Sequence, residues 1–409
     1  MVTTSGLPGP VMPQTSSLIS SRLSALQDRL RPLLDFLNHS EYARRGGDPT
    51  IADFVFGNPQ EMPLPGLVEA IRHHAVPEDK NWFAYTVHNQ AAAEAVAASL
   101  AASTGLAFEP DDVRFAPGTF GALSAAIRAL VDDGDEVIFL SPPWFFYESM
   151  IAVLGATPVR VTLRGPRYDL DADAIRAAIT PRTRALIVNS PHNPTGRVYD
   201  RAQLDALAAV LTQASANRPR PIVLLSDESY NRILFDGRTF VSPAAAYSHT
   251  LILYTYGKQL LAPGERVGYI AISPRIDGGA ALRDGIRFSQ IVGGWQIPNA
   301  TLLRAVPDLE RISIDIGALE RRRDRVAVAL REMGYDVMPP EATFYMMVRS
   351  PIADERAFVD RLASHDVFVG PGGIFEMPGY FRISLTASDE MVTRALPGFA
   401  AAIASGRTL

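Results

Sequence analysis

Two kinds of apolar pattern alternate along the chain. The first is the short continuous run: "EVIFL" (136–140), "RALIVNS" (184–190), "IVLLSDE" (222–228), "LILYTYG" (251–257) and "VGYIAIS" (267–273). Strands with one wet face alternate apolar and polar residues, so unbroken runs of this length predict strands covered on both faces. The second is the helical stripe, as in "RAQLDALAAVLTQA" (201–214). "DVRFAPG" (112–118) reads as a short strand broken at Pro117-Gly118, and "GALSAAIRALV" (121–131) then places Leu123, Ile127, Leu130 and Val131 on one helical face. The pattern predicts an α/β fold, a mostly parallel sheet flanked by helices. Past residue 300 a charged amphipathic stretch, "DLERISIDIGALERRRDRVAVALREMG" (308–334), leads into "TFYMMVRS" (343–350) and "YFRISLTA" (380–387), which predicts a second, smaller α+β unit.

Length and composition narrow the function classes. A chain of 409 residues is long for one compact domain and short for three. Hydrophobic residues at 47% and charged residues at 20% supply a large core and give no sign of disorder beyond the ends. The net charge of −5 is spread thinly, with no basic cluster interleaved with aromatics, so nucleic acid is not the expected partner. Without cysteine there is no disulfide, thiolate nucleophile or Cys-based metal site, and the seven histidines include no HExxH-like pair, so no metal is expected. The opening "MVTTSGLPGPVMPQTSS" lacks the basic start and apolar centre of a secretory signal and is expected to be loose. No apolar run approaches the ~18 residues of a membrane span. A cytoplasmic protein is the expectation.

In an open parallel sheet ligands bind beyond the carboxyl ends of the strands, so the residues that end each run are the candidates for chemistry. Gly118, Thr119 and Phe120 begin a helix and aim backbone N–H groups outward, an anion site by type although such turns are common. "SPPWFFY" follows the run at 136–140, "SPHNPTG" the run at 184–190, and "DESY" ends the run at 222–228. Asp227 by itself reads equally as a turn cap, and Asn193 as a turn residue. Lys258, closing the run at 251–257, is harder to read as structural. A lysine at a buried strand end is desolvated, which lowers its pKa and frees the amine as nucleophile or base. Arg266, across the Pro263-Gly264 turn, is a forked cation suited to phosphate. Together these residues match an aldehyde cofactor with a phosphate tail, a ring to stack, a pyridine nitrogen that needs a carboxylate, and a lysine to hold it as a Schiff base. That cofactor is pyridoxal 5′-phosphate.

From "FGNP" at Gly57 to "FRISLTAS" at Arg382 the chain resembles the class I/II aminotransferases, the aspartate aminotransferase-like enzymes of fold type I that depend on pyridoxal phosphate. The resemblance implies a mostly parallel seven-stranded sheet flanked by helices with a smaller α+β domain. It divides the chain into an N-terminal segment of the small domain (1–56), a large cofactor-binding domain (57–300) and a C-terminal small domain (301–409). "SPHNPTG" is similar to the family's Asn-Pro-Thr-Gly signature, so Asn193 would bond the cofactor's phenolic oxygen beside the substrate. "SDESY" resembles the Asp-x-x-Tyr pair: Asp227 would keep the pyridine nitrogen protonated, and Tyr230 would share the phenolic oxygen. "TYGK" implies Thr255 as a phosphate ligand and Lys258 as the Schiff-base lysine, "PGERVGY" implies Arg266 on the phosphate, and "APGTFGAL" implies a phosphate cup at Gly118, Thr119 and Phe120. "PPWFFY" resembles the segment whose aromatic stacks on the ring, with Trp144 aligned to it ahead of Phe145 and Tyr147. "FRISL" implies Arg382 as the grip on the substrate α-carboxylate, with Gly57 approaching the same group. Tyr85 in "FAYT" resembles the tyrosine that reaches the phosphate of a neighbouring subunit, implying a homodimer with shared active sites.

The chain departs from the family in places. "VHNQAAAEAVA" follows "YT" where a glycine and a Leu-Arg pair are common. Thr255 and Gly257 replace serines, and Ala342 stands where glycine is usual. Arg349 reads as a surface residue. The resemblance implies ping-pong transamination between an L-amino acid and a 2-oxo acid, with Lys258, Asp227 and Tyr230 catalytic. The same constellation supports a lyase, a synthase or an oxidase, which product analysis separates: ammonia, sulfide or peroxide formed without an amino acceptor would mark them. A non-catalytic regulatory module is disfavoured, because no separate DNA-binding segment precedes residue 50 and the lysine is present.

Overall fold

The computed structural model describes residues 18–404; the start expected to be loose, residues 1–17, lies outside them. Twelve strands run through the described residues: β1 (Ala52–Phe54), β2 (Val113–Ala116), β3 (Glu136–Ser141), β4 (Thr157–Thr162), β5 (Thr183–Asn189), β6 (Val223–Asp227), β7 (Thr250–Thr255), β8 (Gly268–Ile272), β9 (Val337–Met338), β10 (Tyr345–Arg349), β11 (Val367–Pro371) and β12 (Tyr380–Ser384). Seven of them form one sheet in the order β2-β8-β7-β6-β5-β3-β4, and five form another, β1-β11-β12-β10-β9.

In the larger sheet β4, β3, β5, β6 and β7 pair in parallel, and β8 alone runs against its neighbours β7 and β2. Parallel neighbours need crossovers, and helices supply them on both faces. Along β3, Val137 and Phe139 face the cluster that holds Leu123 and Ile127 of the helix Gly118–Leu130. Ile138 and Leu140 face the other way, onto Leu204, Leu207 and Leu211 of the helix Arg201–Ser215. Both sides of the pleat are therefore dry, which is why the run is apolar without interruption.

The direction of β8 matters for the site. Because it is antiparallel, its amino end lies at the edge where the other six strands have their carboxyl ends. A residue that precedes β8 thus arrives at the same edge as residues that follow β2, β5, β6 and β7. Arg266 reaches the site by this route.

The smaller sheet joins both ends of the chain. β1 pairs in parallel with β11, and β12 lies between β11 and β10 with Arg382 opposite Gly370 and Met347. Phe54, Phe358, Phe381 and Phe399 share its core. The charged stretch at 308–334 is not one helix. A helix ends at Leu309 and another starts at Ile316, capped by the Asp315 side chain accepting from the Ala318 N–H. Leu302, Leu303 and Val306 of the first pack with Val96 and Leu100 of the helix Gln90–Thr104, while Leu319, Val326 and Leu330 of the second pack with Val337, Val348 and Phe381. Among the described residues no helix is long and apolar enough to cross a membrane.

Candidate active site

A cavity of about 290 Å3 opens at the carboxyl edge of the larger sheet, with residues of the smaller sheet closing one side. Gly57, Thr119, Phe120, Trp144, Asn193, Asp227, Tyr230, Thr255, Lys258, Arg266 and Arg382 line it together, although they are spread over more than 300 residues of sequence. Gly118 stands just behind the wall. Its φ is +71°, a left-handed conformation that glycine adopts without strain, and a Cβ there would lie 3.2 Å from both Arg266 Nη2 and Thr255 Oγ1. Tyr85 does not line this cavity: it is 91% exposed and leans on the Trp295 ring at 5.1 Å. Arg349 lies at the exposed end of β10 and is not among the lining residues.

One end of the cavity is a cradle of donors. The Arg266 guanidinium donates to the carbonyls of Pro263 (2.7 Å) and Pro117 (3.1 Å), which fixes it across the start of the helix Gly118–Leu130. The Thr255 hydroxyl caps the short helix Tyr256–Gln259, accepting from the Gly257 N–H at 3.2 Å. A helix N-terminus, two threonine hydroxyls, a forked cation and a glycine without a side chain make a space whose chemistry fits a phosphate.

Asp227 ends β6 and is buried, with both carboxylate oxygens occupied. Oδ1 accepts from the Ser229 hydroxyl (2.6 Å) and N–H (3.2 Å), and Oδ2 accepts from the Tyr147 hydroxyl (2.5 Å). The Ser229 hydroxyl is in turn 2.8 Å from that of Thr119, which ties the carboxylate to the donor cradle. Burial raises the Asp227 pKa, against the opposing pull of these hydrogen bonds and of the Lys258 charge. A buried carboxylate held above its ordinary range calls for a cationic partner, and a protonated pyridine nitrogen is such a group.

Arg382 is 1% exposed. Its guanidinium lies 3.7 Å from the centre of the Tyr345 ring and 3.8 Å from that of Phe375, a sandwich that sets its plane. Nη1 donates to Asn193 Oδ1 and Nη2 to the Val55 carbonyl, each at 3.1 Å, while the buried Nε has no partner. An unpaired buried donor on a fixed fork fits an incoming carboxylate. Gly57 stands close by: a Cβ there would fall 2.6 Å from the Tyr345 hydroxyl and 2.4 Å from the Phe344 ring.

Lys258 differs from its expected setting. It is half-buried, on the helical turn Tyr256–Gln259 one step beyond β7 rather than at the strand's buried end. Its Nζ lies 5.9 Å from the centre of the Tyr230 ring and 5.7 Å from that of Phe344. The turn exists because Thr255 caps it, and it carries the amine out of the sheet and into the cavity.

Residues 50–399 match the family model described as aminotransferase class I and II. The chain belongs to this family. An aspartate/prephenate aminotransferase of Thermus thermophilus is 33% identical over 88% of this chain and 92% of its own length. The crystal structure of an aminotransferase from Eubacterium rectale superposes with a TM-score of 0.86 at 27% identity, covering 95% of this chain and 99% of the other. That of the Thermus thermophilus aspartate aminotransferase with maleate gives a TM-score of 0.78 at 28% identity, covering 94% and 99%. This chain is accordingly an aminotransferase of a pyridoxal phosphate-dependent family, and its substrates are an amino acid and a 2-oxo acid.

Three residues of this aminotransferase site escape the sequence reading. Tyr147 is weighed there as a stacking ring, but its hydroxyl goes to Asp227; only its position three residues after Trp144, one helical turn away, hints at a shared target. Ser229 sits inside the "SDESY" motif and passes as filler. Tyr345 lies in "TFYMMV", where a continuous apolar run marks a strand and nothing more. Burial works to raise its hydroxyl pKa, yet the charges of Arg382 and Lys258 and hydrogen bonds from Tyr230 and the Gly57 N–H prevail, so it lies below the ordinary phenol value.

Proposed function

We propose that this aminotransferase binds pyridoxal 5′-phosphate with its phosphate in the cradle of Thr119, Thr255 and Arg266 at the helix start Gly118–Phe120, its ring against Trp144, and its pyridine nitrogen on Asp227. Asn193 and Tyr230 take the phenolic oxygen, and Lys258 takes the aldehyde carbon. Bound there, the cofactor supplies an electron sink for the bonds of the substrate α-carbon. Every other step belongs to side chains. Arg382 receives the α-carboxylate through its free N–H groups, and Gly57 leaves room for it. That contact orients the α-C–H bond for removal. Lys258, which would hold the cofactor at rest, would act once its amine is free as general base toward the substrate α-proton and then as general acid returning it. Asp227 would favour the protonated pyridine nitrogen. Water would release the 2-oxo acid with the amino nitrogen left on the cofactor, and the reverse sequence with a second 2-oxo acid would carry that nitrogen away, completing a ping-pong cycle. Tyr85, exposed and outside its own chain's cavity, reaches the site of a second copy in this reading.

The observation that carries the proposal is the convergence of an amine, a buried carboxylate and two arginines on one cavity lined by aromatic rings. Its test is a half-reaction. Reconstituted protein mixed with amino acids should convert the cofactor's absorption from the aldehyde-bound to the aminated form. Lys258→Ala should slow that conversion by ~10²–10⁴-fold, the usual weight of a positioned acid–base group, or more. Unchanged half-reaction rates in Lys258→Ala would reject the assignment.

A further inference from the structure

We propose that Glu310 is a positioning residue for Lys258: it fastens the turn that carries the amine to the loop that carries Tyr230, and so fixes the two against each other. Its role rests on the one proposed above for Lys258 and draws in side chains that lie outside the cavity.

Lys258 stands on a turn of four residues, Tyr256–Gln259. So short a helix cannot hold a side chain in place by its own hydrogen bonds. Its neighbours in sequence hold it instead. Tyr256 and Gln259 are buried, and both are bonded to the segment 309–314 between the helices Ala300–Leu309 and Ile316–Met333. The Tyr256 hydroxyl donates to Glu310 Oε1. The Gln259 side-chain nitrogen donates to the carbonyls of Leu309 (3.3 Å) and Ile312, and its side-chain oxygen accepts from the Tyr254 hydroxyl. Its backbone carbonyl accepts from the Ile314 N–H at 3.0 Å.

Glu310 has a second arm. Its Oε2 accepts from Arg232 Nη2 at 2.5 Å, and its backbone carbonyl accepts from Nη1 at 3.2 Å. The Arg232 guanidinium also lies 5.1 Å from the centre of the Tyr254 ring. With 8% of its side chain exposed, Glu310 is a carboxylate taken largely out of water. Desolvation offsets most of the attraction in such a pair, so its contribution here is geometry rather than net stability. The geometry joins Tyr256, two residues before Lys258, to Arg232, two residues after Tyr230. Across the cavity the Lys258 amine stands 5.9 Å from the centre of the Tyr230 ring. Misplacing a reacting group by about 1 Å costs ~100-fold in rate. Arg232, Tyr256, Gln259 and Glu310 do not line the cavity, so changes in them reach the chemistry through the residues they hold.

The amine itself provides the test. The chain has two lysines, Lys258 and the exposed Lys80, so borohydride trapping followed by peptide mass analysis reads the linkage of Lys258 to the cofactor aldehyde with Lys80 as internal reference. Glu310→Gln keeps an acceptor for Tyr256 and breaks the charged arm to Arg232; Tyr256→Phe keeps the buried ring and breaks the other arm. In full-length protein stripped of cofactor and mixed with saturating pyridoxal 5′-phosphate, each should link Lys258 ~10–100-fold more slowly than wild type, with Lys80 labelled at the same rate. The double variant should be little slower than either single one, because each breaks the same device. In half-reactions with amino acids the maximal rate should fall with KM little changed, since Arg382 is untouched. Glu136→Gln is the control: Glu136 is equally buried and paired with Arg182, but it opens β3 at the edge of the sheet opposite the cavity, and its loss should lower stability without slowing the linkage. Unchanged Lys258 linkage in either folded variant overturns the inference, as do fully additive losses or an equal loss in Glu136→Gln. If Glu310→Gln does not fold, Tyr256→Phe decides by the same readings. The two levels of reading fail separately. Absence of trapping on Lys258 in the wild type would sink the cofactor assignment, whereas trapping there at a rate the variants share would sink the role of Glu310 alone.

Discussion

Tyr147 and Ser229 hold Asp227 from its two sides, so the carboxylate's charge is set by residues that the proposed mechanism does not otherwise use. Removing a donor from an already raised carboxyl raises it further, and a more basic Asp227 takes a larger share of the proton it is meant to leave on the pyridine nitrogen. Tyr147→Phe keeps the ring and loses only the hydroxyl. A hydrogen bond to a charged group is worth about 1.5–3 kcal/mol, so the half-reaction should slow by ~10–100-fold with a much smaller change in KM, because Tyr147 is expected to touch the cofactor's partner rather than the substrate. Stopped-flow half-reactions read both quantities, and a mainly KM effect would show that Tyr147 acts on the substrate instead. Ser229 adds a link of a different kind, since its bond to Thr119 couples the carboxylate to the phosphate cradle across 110 residues of sequence.

Among the elements, the β7–β8 pair carries the greatest constraint, because both sides of the donor cradle hang on it. Gly268 opens β8 opposite Thr255 and Ala116, and a Cβ there would stand 2.1 Å from the Tyr254 carbonyl oxygen and 3.0 Å from the Gly118 Cα. Gly268→Ala must therefore push the strands apart where Thr255, Gly118 and Arg266 meet. Overpacking of this kind costs about 1–3 kcal/mol, and the cofactor should bind more weakly along with it. Gly264→Ala, in the preceding turn with nothing within 4 Å of its Cβ, should stay within ~0.5 kcal/mol of wild type in the same denaturant titration. The sequence reveals such elements unevenly, for physical reasons. β3, β5, β6, β7 and β8 are legible because helices or neighbouring chain cover both faces. β4 is not, because it lies at the sheet's edge and mixes Arg160 and exposed threonines into its run. β1 is three residues long, and its pairing with β11 joins positions more than 300 residues apart. The site divides the same way: Asp227 ends its strand and Lys258 and Arg266 lie within three residues of one, so apolar runs point to them, while the role of Tyr345 depends on Arg382 packing against its ring, which no local pattern encodes.

At the scale of the whole molecule, stability against pH should reflect two buried groups that pull in opposite directions. Glu228 is 1% exposed and its pKa is pushed up to about 7 from 4.5 by burial, despite hydrogen bonds from Ser242, Ser226 and Asn231. The folded chain therefore holds a proton that the unfolded chain has released between pH 4.5 and 7, and the stability contributed by Glu228 is full below that window and lost as pH rises through it. His192, also 1% exposed, is pushed down by burial from 6.5 to about 4, so its contribution is full above pH 6.5 and lost as pH falls toward 4. Over the shared range the slopes oppose each other, and the wild type should be flatter than either group alone would make it. Glu228→Gln separates them. Its carbonyl can still accept from the Ser226 and Ser242 hydroxyls, and its amide faces Asn231, whose buried Oδ1 lacks a donor and becomes available if that side chain turns over. Unfolding free energies of variant and wild type, measured at intervals from pH 4.5 to 7, should diverge by roughly 3 kcal/mol, the wild type losing ground as pH rises, at ~1.4 kcal/mol per unit. Because other groups cancel in the difference, parallel curves would mean that Glu228 is ionised in the folded chain throughout, and that the hydrogen bonds from Ser226, Ser242 and Asn231 outweigh its burial.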